Sequence, residues 1–130
     1  MELYINTTKN KAEDIELYLK EGNSVISTII REANRKQSEL LLGEVENLLK
    51  NNCLELKDID SIIVENQGGA FTALRIGIVT ANTLSYAMGI PVYGARNAIR
   101  EYVEEQCKLR IVKPIYDSEP NITQKKPRLA

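Results

Sequence analysis

The sequence predicts an α/β protein with one mixed sheet flanked by helices, in the order β-β-β-α-β-α-β-α. Two observations support this fold class. Near the start, three short segments rich in apolar residues are joined by short links, which indicates an antiparallel meander. Further along, segments with helical periodicity alternate with short apolar runs, a pattern typical of helices that connect the strands of one sheet.

The meander is expected to contain three strands, at Glu2–Thr8, Ile15–Leu19 and Val25–Ile30. The turn at Glu21–Asn23 separates the last two, because its glycine favours a tight change of direction. Short links of this kind join antiparallel neighbours, so these three strands should be adjacent in the sheet.

Helices and strands alternate in the second half of the chain. Helices are expected at Lys36–Asn52, Thr72–Met88 and Asn97–Cys107, and short strands at Ile62–Val64 and Val92–Tyr93. Apolar residues at 3.6-residue spacing give the first helix a core face. The residues predicted for that face are Leu41, Leu42, Val45, Leu48 and Leu49.

Composition excludes several classes of function. A chain of 130 residues suits one hydrophobic core, and a net charge of −1 provides no electrostatic footprint for nucleic acid or a membrane surface. The chain contains no histidine, which removes Ser-His and Cys-His nucleophiles and histidine-based zinc sites. We therefore predict no catalytic residue, no cofactor-binding residue and no metal ligand.

The sequence also favours a cytoplasmic location. Its start is acidic and lacks a long apolar run, so no signal peptide is expected, and no segment approaches the roughly 20 apolar residues of a membrane span. Cys53 and Cys107 are far apart in sequence and are expected to be reduced structural thiols. The basic residues Lys125, Lys126 and Arg128 are interpreted as a solvated tail.

The stretch after Glu65 is nearly uncharged as far as Ala95, with Arg75 as its one charged residue. One arc of the Thr72–Met88 helix suits packing on the sheet, but the opposite arc lacks the charges that a solvated face carries. This indicates an association surface, and the alternative is a cover from within the chain, such as the C-terminal segment. The residues of this predicted interface are Ile76, Val79, Thr80, Thr83 and Ala87, with Leu40, Gly43 and Asn47 on the preceding helix.

The glycine-rich segment Gln67–Thr72 has two readings. It follows a strand and opens a helix, an arrangement that can bind anions through free backbone amides. However, the phosphate-loop lysine and the G-x-G-x-x-G spacing are both absent. The favoured interpretation is a tight strand-to-helix turn made by Gly68 and Gly69, with Thr72 capping the helix.

Several motifs resemble those of the TsaB (YeaZ) family. QGGAFTALRIG at 67–77 resembles the family's GPGSFTGLRIG signature, INTT at 5–8 resembles its opening IDTS, and QSELL at 37–41 resembles its HSExL helix start. KPIY at 113–116 with Pro120 resembles the PxYLRxP tail that closes the family. The resemblance covers roughly residues 1 to 100 and the tail. The second domain that the family carries between these parts has no counterpart here.

The resemblance implies a single lobe of the actin/Hsp70-type, ribonuclease-H-like fold. It implies residues 1–108 as a TsaB-like lobe and 109–130 as a tail. We expect the first half of this tail to pack on the lobe, because Val112, Ile115 and Tyr116 give it an apolar set that a free tail would not carry. The resemblance further implies a non-catalytic scaffold subunit that binds the TsaD-type catalytic protein, in a system that transfers threonylcarbamoyl to N6 of adenosine 37 of tRNA. A TsaE-type ATPase is the further partner implied, and tRNA is contacted only indirectly.

Some positions depart from the family pattern. Asn6 stands where the family has Asp, Gln37 where it has His, Gly68 where it has Pro and Ala73 where it has Gly, and Asp117-Ser118 replaces Leu-Arg in the tail. Asn6 lacks the carboxylate that a nucleotide-hydrolysing protein of this fold would place near Mg²⁺. This missing carboxylate disfavours independent catalysis, and it leaves the implied scaffold role intact because the two helices are preserved.

Two other functions compete with the scaffold. The chain could be a self-associating module that forms a homodimer through the same two helices. A peptidase or ATPase is the remote alternative, which the missing histidines and the missing base beside any Ser or Cys disfavour.

Overall fold

The computed structural model describes residues 1–9, 14–69, 71–95, 102–104 and 109–115. Its centre is a five-stranded mixed sheet in the order β3-β2-β1-β4-β5. The strands are β1 (Glu2–Lys9), β2 (Asp14–Glu21), β3 (Ser24–Arg31), β4 (Ser61–Val64) and β5 (Val92–Gly94). The helices are α1 (Gln37–Asn51) and α2 (Phe71–Met88). These elements confirm the predicted fold class and, to within a few residues, the first seven predicted elements.

The first three strands form the predicted antiparallel meander. Leu3 of β1 lies opposite Leu19 of β2, and Leu17 of β2 lies opposite Ile29 of β3. Between β2 and β3 the chain turns at Gly22, whose φ of +63° suits a residue without a side chain. This register keeps the apolar side chains of neighbouring strands on one face of the sheet.

The later strands join β1 in parallel. Ile62 of β4 pairs with Leu3 of β1 and with Val92 of β5. Parallel neighbours need crossover connections, and α1 and α2 supply them. Both helices contact the sheet and each other.

The hydrophobic core lies between the sheet and the two helices. Alternate residues of the strands point into it, and each helix contributes one apolar stripe. Complete burial of a large side chain of this kind stabilises the fold by about 1.5–3 kcal/mol. Its largest fully buried side chains are Leu3, Ile5, Ile15, Leu17, Leu19, Leu41, Leu48, Ile62, Leu74, Val45, Val64 and Val92.

Two tyrosines stack on the other face of the sheet. Tyr4 alternates with Leu3 and Ile5 and therefore points away from the helices. Its ring stacks on that of Tyr18, with centroids 4.3 Å apart, and its hydroxyl donates a hydrogen bond of 3.1 Å to Glu65 Oε1.

Residues 111–115 lie against α2 and the end of β4. Val112 is buried, its N–H donates to Asn82 Oδ1 at 2.8 Å, and its carbonyl accepts from Asn82 Nδ2 at 3.0 Å. Asn66 Nδ2 donates to the Lys113 carbonyl at 3.0 Å, and the Asn66 carbonyl accepts from the Ile115 N–H. The division of the chain at residue 108 stays a prediction, and residues 116–130 lie outside the described residues.

The last predicted helix, Asn97–Cys107, differs from the structure where the structure describes it. Tyr102–Glu104 forms strand β6, which pairs antiparallel with β7 (Leu109–Arg110), and the rest of the predicted helix lies outside the described residues. Adjacent Tyr and Val favour a strand when a partner strand is near. Spacing alone did not reveal that partner.

Candidate partner-binding site

The outer face of α2 is exposed and almost uncharged. Val79 is 60% exposed and Tyr86 78% exposed, and Thr83 and Ala87 are also exposed. Between Phe71 and Met88 the helix carries one charged residue, Arg75. A helix face of this composition is typical of a protein–protein contact, because water favours charged side chains on such a face.

A cleft of about 330 Å³ lies where this face meets the start of α1. Ile76 and Thr80, which are half-buried on α2, form part of its wall. Ser38 contributes the wall from α1. The residues that line the cleft are Ser38, Thr72, Arg75, Ile76, Val79 and Thr80.

Leu42 belongs to the same surface, contrary to the sequence prediction. It was expected in the core of α1 but is 57% exposed. It follows Ser38 by four residues, so both lie on the side of α1 that is turned toward α2. Periodicity could not separate Leu42 from Leu49, which differs from it by only about 20° around the helix and is buried.

The structure does not place the other predicted α1 residues next to α2. Glu44 of α1 forms an ion pair with Arg31 of β3, which marks the side of α1 that is turned toward β3. Leu40 and Asn47 are four and three residues from Glu44 and lie on that side, with Gly43 between them. Leu40 is half-buried against the core, whereas Gly43 and Asn47 are exposed. The predicted interface residues therefore form two separate strips, one on α2 and one on the β3 side of α1. Leu42 extends the strip on α2.

The glycine-rich segment is a turn that brings β4 to α2. Gly68 and Gly69 have φ of +99° and +76°. A Cβ at Gly69 would stand 2.5 Å from Thr8 Cβ, so the segment passes β1 too closely for a side chain. Thr72 was expected to cap α2, but the helix begins at Phe71, which places Thr72 inside it.

The side-chain amide of Asn6, in β1, is hydrogen-bonded to Thr8. Asn6 Oδ1 accepts hydrogen bonds from Thr8 N–H at 2.8 Å and from Thr8 Oγ1 at 3.1 Å. Within the described residues there is no group of three or more His, Cys, Asp or Glu side chains suited to a metal ion. In the same residues no helix combines the length and hydrophobicity that crossing a membrane requires.

Comparison with known proteins agrees with this architecture. The sequence profile of the TsaD family, described as tRNA N6-adenosine threonylcarbamoyltransferase, matches residues 24–99. The tRNA N6-adenosine threonylcarbamoyltransferase of Geotalea uraniireducens is 35% identical over 65 residues, which cover 50% of this chain and 19% of that protein.

A TsaB protein and a solved YeaZ structure match more of the chain. The tRNA threonylcarbamoyladenosine biosynthesis protein TsaB of Buchnera aphidicola is 28% identical over 94 residues, which cover 67% of this chain and 45% of that protein. YeaZ from Pseudomonas aeruginosa superposes with a TM-score of 0.64 and 26% identity, over 72% of this chain and 42% of that one.

The chain spans less than half the length of each of these relatives. The profile nevertheless covers more than half of the chain, from the end of the β2–β3 turn to just beyond β5. The chain therefore belongs to the family that the TsaD profile, tRNA N6-adenosine threonylcarbamoyltransferase, describes, and it is also similar to the TsaB and YeaZ proteins.

Proposed function

We propose that this chain is a non-catalytic subunit in the biosynthesis of threonylcarbamoyladenosine in tRNA, and that it binds a TsaD-type catalytic protein. The observation that carries the proposal is the uncharged, exposed face of α2, with Val79 and Tyr86 open to solvent. We infer the pathway from the relative that is named as a tRNA threonylcarbamoyladenosine biosynthesis protein. A surface that stays apolar on a chain with 27% charged residues is best explained by a protein partner.

The residue chemistry supports an accessory role. Without histidine the chain has no imidazole for a general base or a zinc ligand. Asn6 offers a neutral amide where relatives carry the Asp of the IDTS motif, so the chain provides less negative charge for Mg²⁺ there. In our proposal the catalytic groups belong to the TsaD-type partner.

The other partners follow from charge and from the family. A net charge of −1 gives the chain little attraction for phosphates, so tRNA is contacted through the catalytic subunit. A TsaE-type ATPase is a further proposed partner, and the proposed location is the cytoplasm. Co-purification of the chain with TsaD-type and TsaE-type proteins of the same cell tests this assignment, and clean separation from the TsaD-type protein at micromolar concentration contradicts it.

The sharpest test is Thr83→Arg. Thr83 is exposed on α2, so the free chain should tolerate arginine there and melt like the parent. A bound partner would bury the new charge without a counter-charge, which costs several kcal/mol. We expect binding to the TsaD-type protein, measured by calorimetry, to weaken by at least about a hundredfold.

A matched control is Asn23→Arg, which places the same side chain in the exposed β2–β3 turn, away from α2. It should bind like the parent. If Thr83→Arg unfolds the chain, the outer face of α2 is covered by another part of the same chain. If Thr83→Arg binds the TsaD-type protein as tightly as the parent does, this face is not the contact. Sedimentation without the TsaD-type protein separates this function from a homodimer through the same helices, because Thr83→Arg would then abolish self-association.

A further inference from the structure

Strand β3 forms one edge of the sheet and is open on its outer side. It pairs with β2, and within the described part of the chain no strand pairs with its other side. Its outward backbone N–H and C=O groups are therefore available to another strand. Main-chain pairing is the contact that satisfies such groups in full.

The side chains of β3 do little to prevent such pairing. From Ser24 to Ile30 the strand has no charged residue and no proline, which are the usual protections of an edge. Val25 is 52% exposed, Ile26 43% and Ile30 58%. The one protective feature is a register shift at Ile26 against β2, which leaves Ser27–Arg31 regular.

The strand is complementary to itself when two copies run antiparallel. With Thr28 at the centre, Ile26 of each copy lies opposite Ile30 of the other, and Ser27 lies opposite Ile29. The two Arg31 side chains then stand at opposite ends of the pair, so like charges do not meet. Each Arg31 lies opposite Val25 of the second copy and keeps its ion pair with Glu44 of its own α1.

We propose that β3 pairs antiparallel with β3 of a second copy of this chain, which joins the two sheets across a twofold axis. The pairing satisfies the open backbone groups and covers the three exposed apolar side chains. Edge-to-edge contact of strands this short buries less than the roughly 1,600 Å² of a standard interface, so we expect a weak association that depends on concentration.

This surface is separate from the α2 face. The helix that contacts β3 is α1, whereas α2 packs on β1, β4 and β5. Both surfaces can therefore be occupied at once, and the self-association does not rest on the proposed function.

The test is sedimentation equilibrium of the full chain, of Ile30→Lys and of Val79→Lys. Each variant places lysine at an exposed apolar residue, one on β3 and one on α2. We expect a mass that rises twofold with concentration for the parent and for Val79→Lys, and a constant monomer mass for Ile30→Lys. A parent that stays monomeric throughout overturns the proposal, as does an Ile30→Lys chain that still dimerises or a dimer lost only in Val79→Lys.

A second measurement keeps the test decisive if Ile30→Lys fails to fold. In a chain with Cys53 and Cys107 replaced by serine, Thr28→Cys places one thiol at the proposed twofold axis, within disulfide reach of its copy. Mild oxidation should give a disulfide-linked dimer. The control is Thr83→Cys in the same background, which should stay largely monomeric. Equal cross-linking of the two variants, or none for Thr28→Cys, contradicts pairing through β3.

Discussion

At the scale of single residues, the approach of α2 to β1 depends on one glycine. The Thr7 hydroxyl donates a hydrogen bond of 2.6 Å to the Ala73 carbonyl of α2. A Cβ at Gly77 would stand 2.6 Å from Thr7 Oγ1 and 3.1 Å from Thr7 Cγ2. Because threonine is branched at Cβ, rotation of its side chain would not clear this space.

We therefore predict that Gly77→Ala destabilises the chain by about 1–3 kcal/mol, since overpacking outweighs the better helix propensity of alanine. Gly43→Ala is the control, because nothing lies within 4 Å of a Cβ at Gly43 of α1. It should stabilise the chain by roughly 0.5–1 kcal/mol. Chemical denaturation measures both changes. If Thr7→Ala does not relieve the Gly77→Ala defect in the double variant, the contact with Thr7 is not its cause.

A second residue-scale prediction concerns alkaline pH. Burial, and then the carboxylate of Glu65, raises the pKa of Tyr4 well above its ordinary value of 10.0. An unfolded chain releases this proton near pH 10, whereas the folded chain holds it to a higher pH. The Tyr4 contribution to stability is therefore complete below pH 10 and is lost as the pH rises above that value.

Melting temperatures measured from pH 8 to about pH 11 should fall less steeply for Tyr4→Phe than for the parent. The matched control is Tyr86→Phe, at an exposed tyrosine on α2, which should follow the parent. Identical pH profiles for the parent and Tyr4→Phe would show that Tyr4 does not carry the alkaline loss.

At the scale of elements, α2 is held on one side by a side-chain amide. Asn82 both donates to and accepts from the backbone of Val112, as a neighbouring strand would. We predict that Asn82→Leu costs roughly 1–3 kcal/mol, because it leaves two half-buried backbone groups of Val112 without partners. Hydrogen exchange at the Val112 amide should accelerate, whereas Thr83→Ala at the next residue should leave it unchanged. Unaltered protection in Asn82→Leu would mean that the segment is held by its other contacts.

The elements also show how far sequence patterns reach. The alternation of Leu3 and Ile5 and the stripe of Leu41, Val45 and Leu48 predict strands and helices correctly, because each pattern reports burial on one face. Leu42 does not follow the pattern, since it is 57% exposed although it lies only about 20° from the buried Leu49 around the helix. The helix prediction is also wrong at Tyr102–Glu104, because helical spacing does not report the short-range antiparallel pairing of this segment with β7.

At the scale of the whole molecule, the chain offers two surfaces of different kinds. The α2 face presents side chains and suits a partner with a complementary apolar surface. The β3 edge presents backbone groups and suits another strand. The first could be predicted from the missing charges of α2. The second could not, because only the sheet order places β3 at an edge.

The proposed pairing of two chains through β3 makes the thermal stability depend on the protein concentration. A second copy that binds only the folded chain raises the free energy of unfolding by mass action, by about 2.7 kcal/mol at a hundredfold excess over the dissociation constant. For a domain of this size that corresponds to a rise in melting temperature of several degrees. We expect this rise, measured by calorimetry over a hundredfold range of concentration, in the parent and in Val79→Lys. Ile30→Lys should melt at one temperature throughout, because its lysine leaves the β3 edge without a partner. A parent whose melting temperature does not change over that range would contradict self-association through β3.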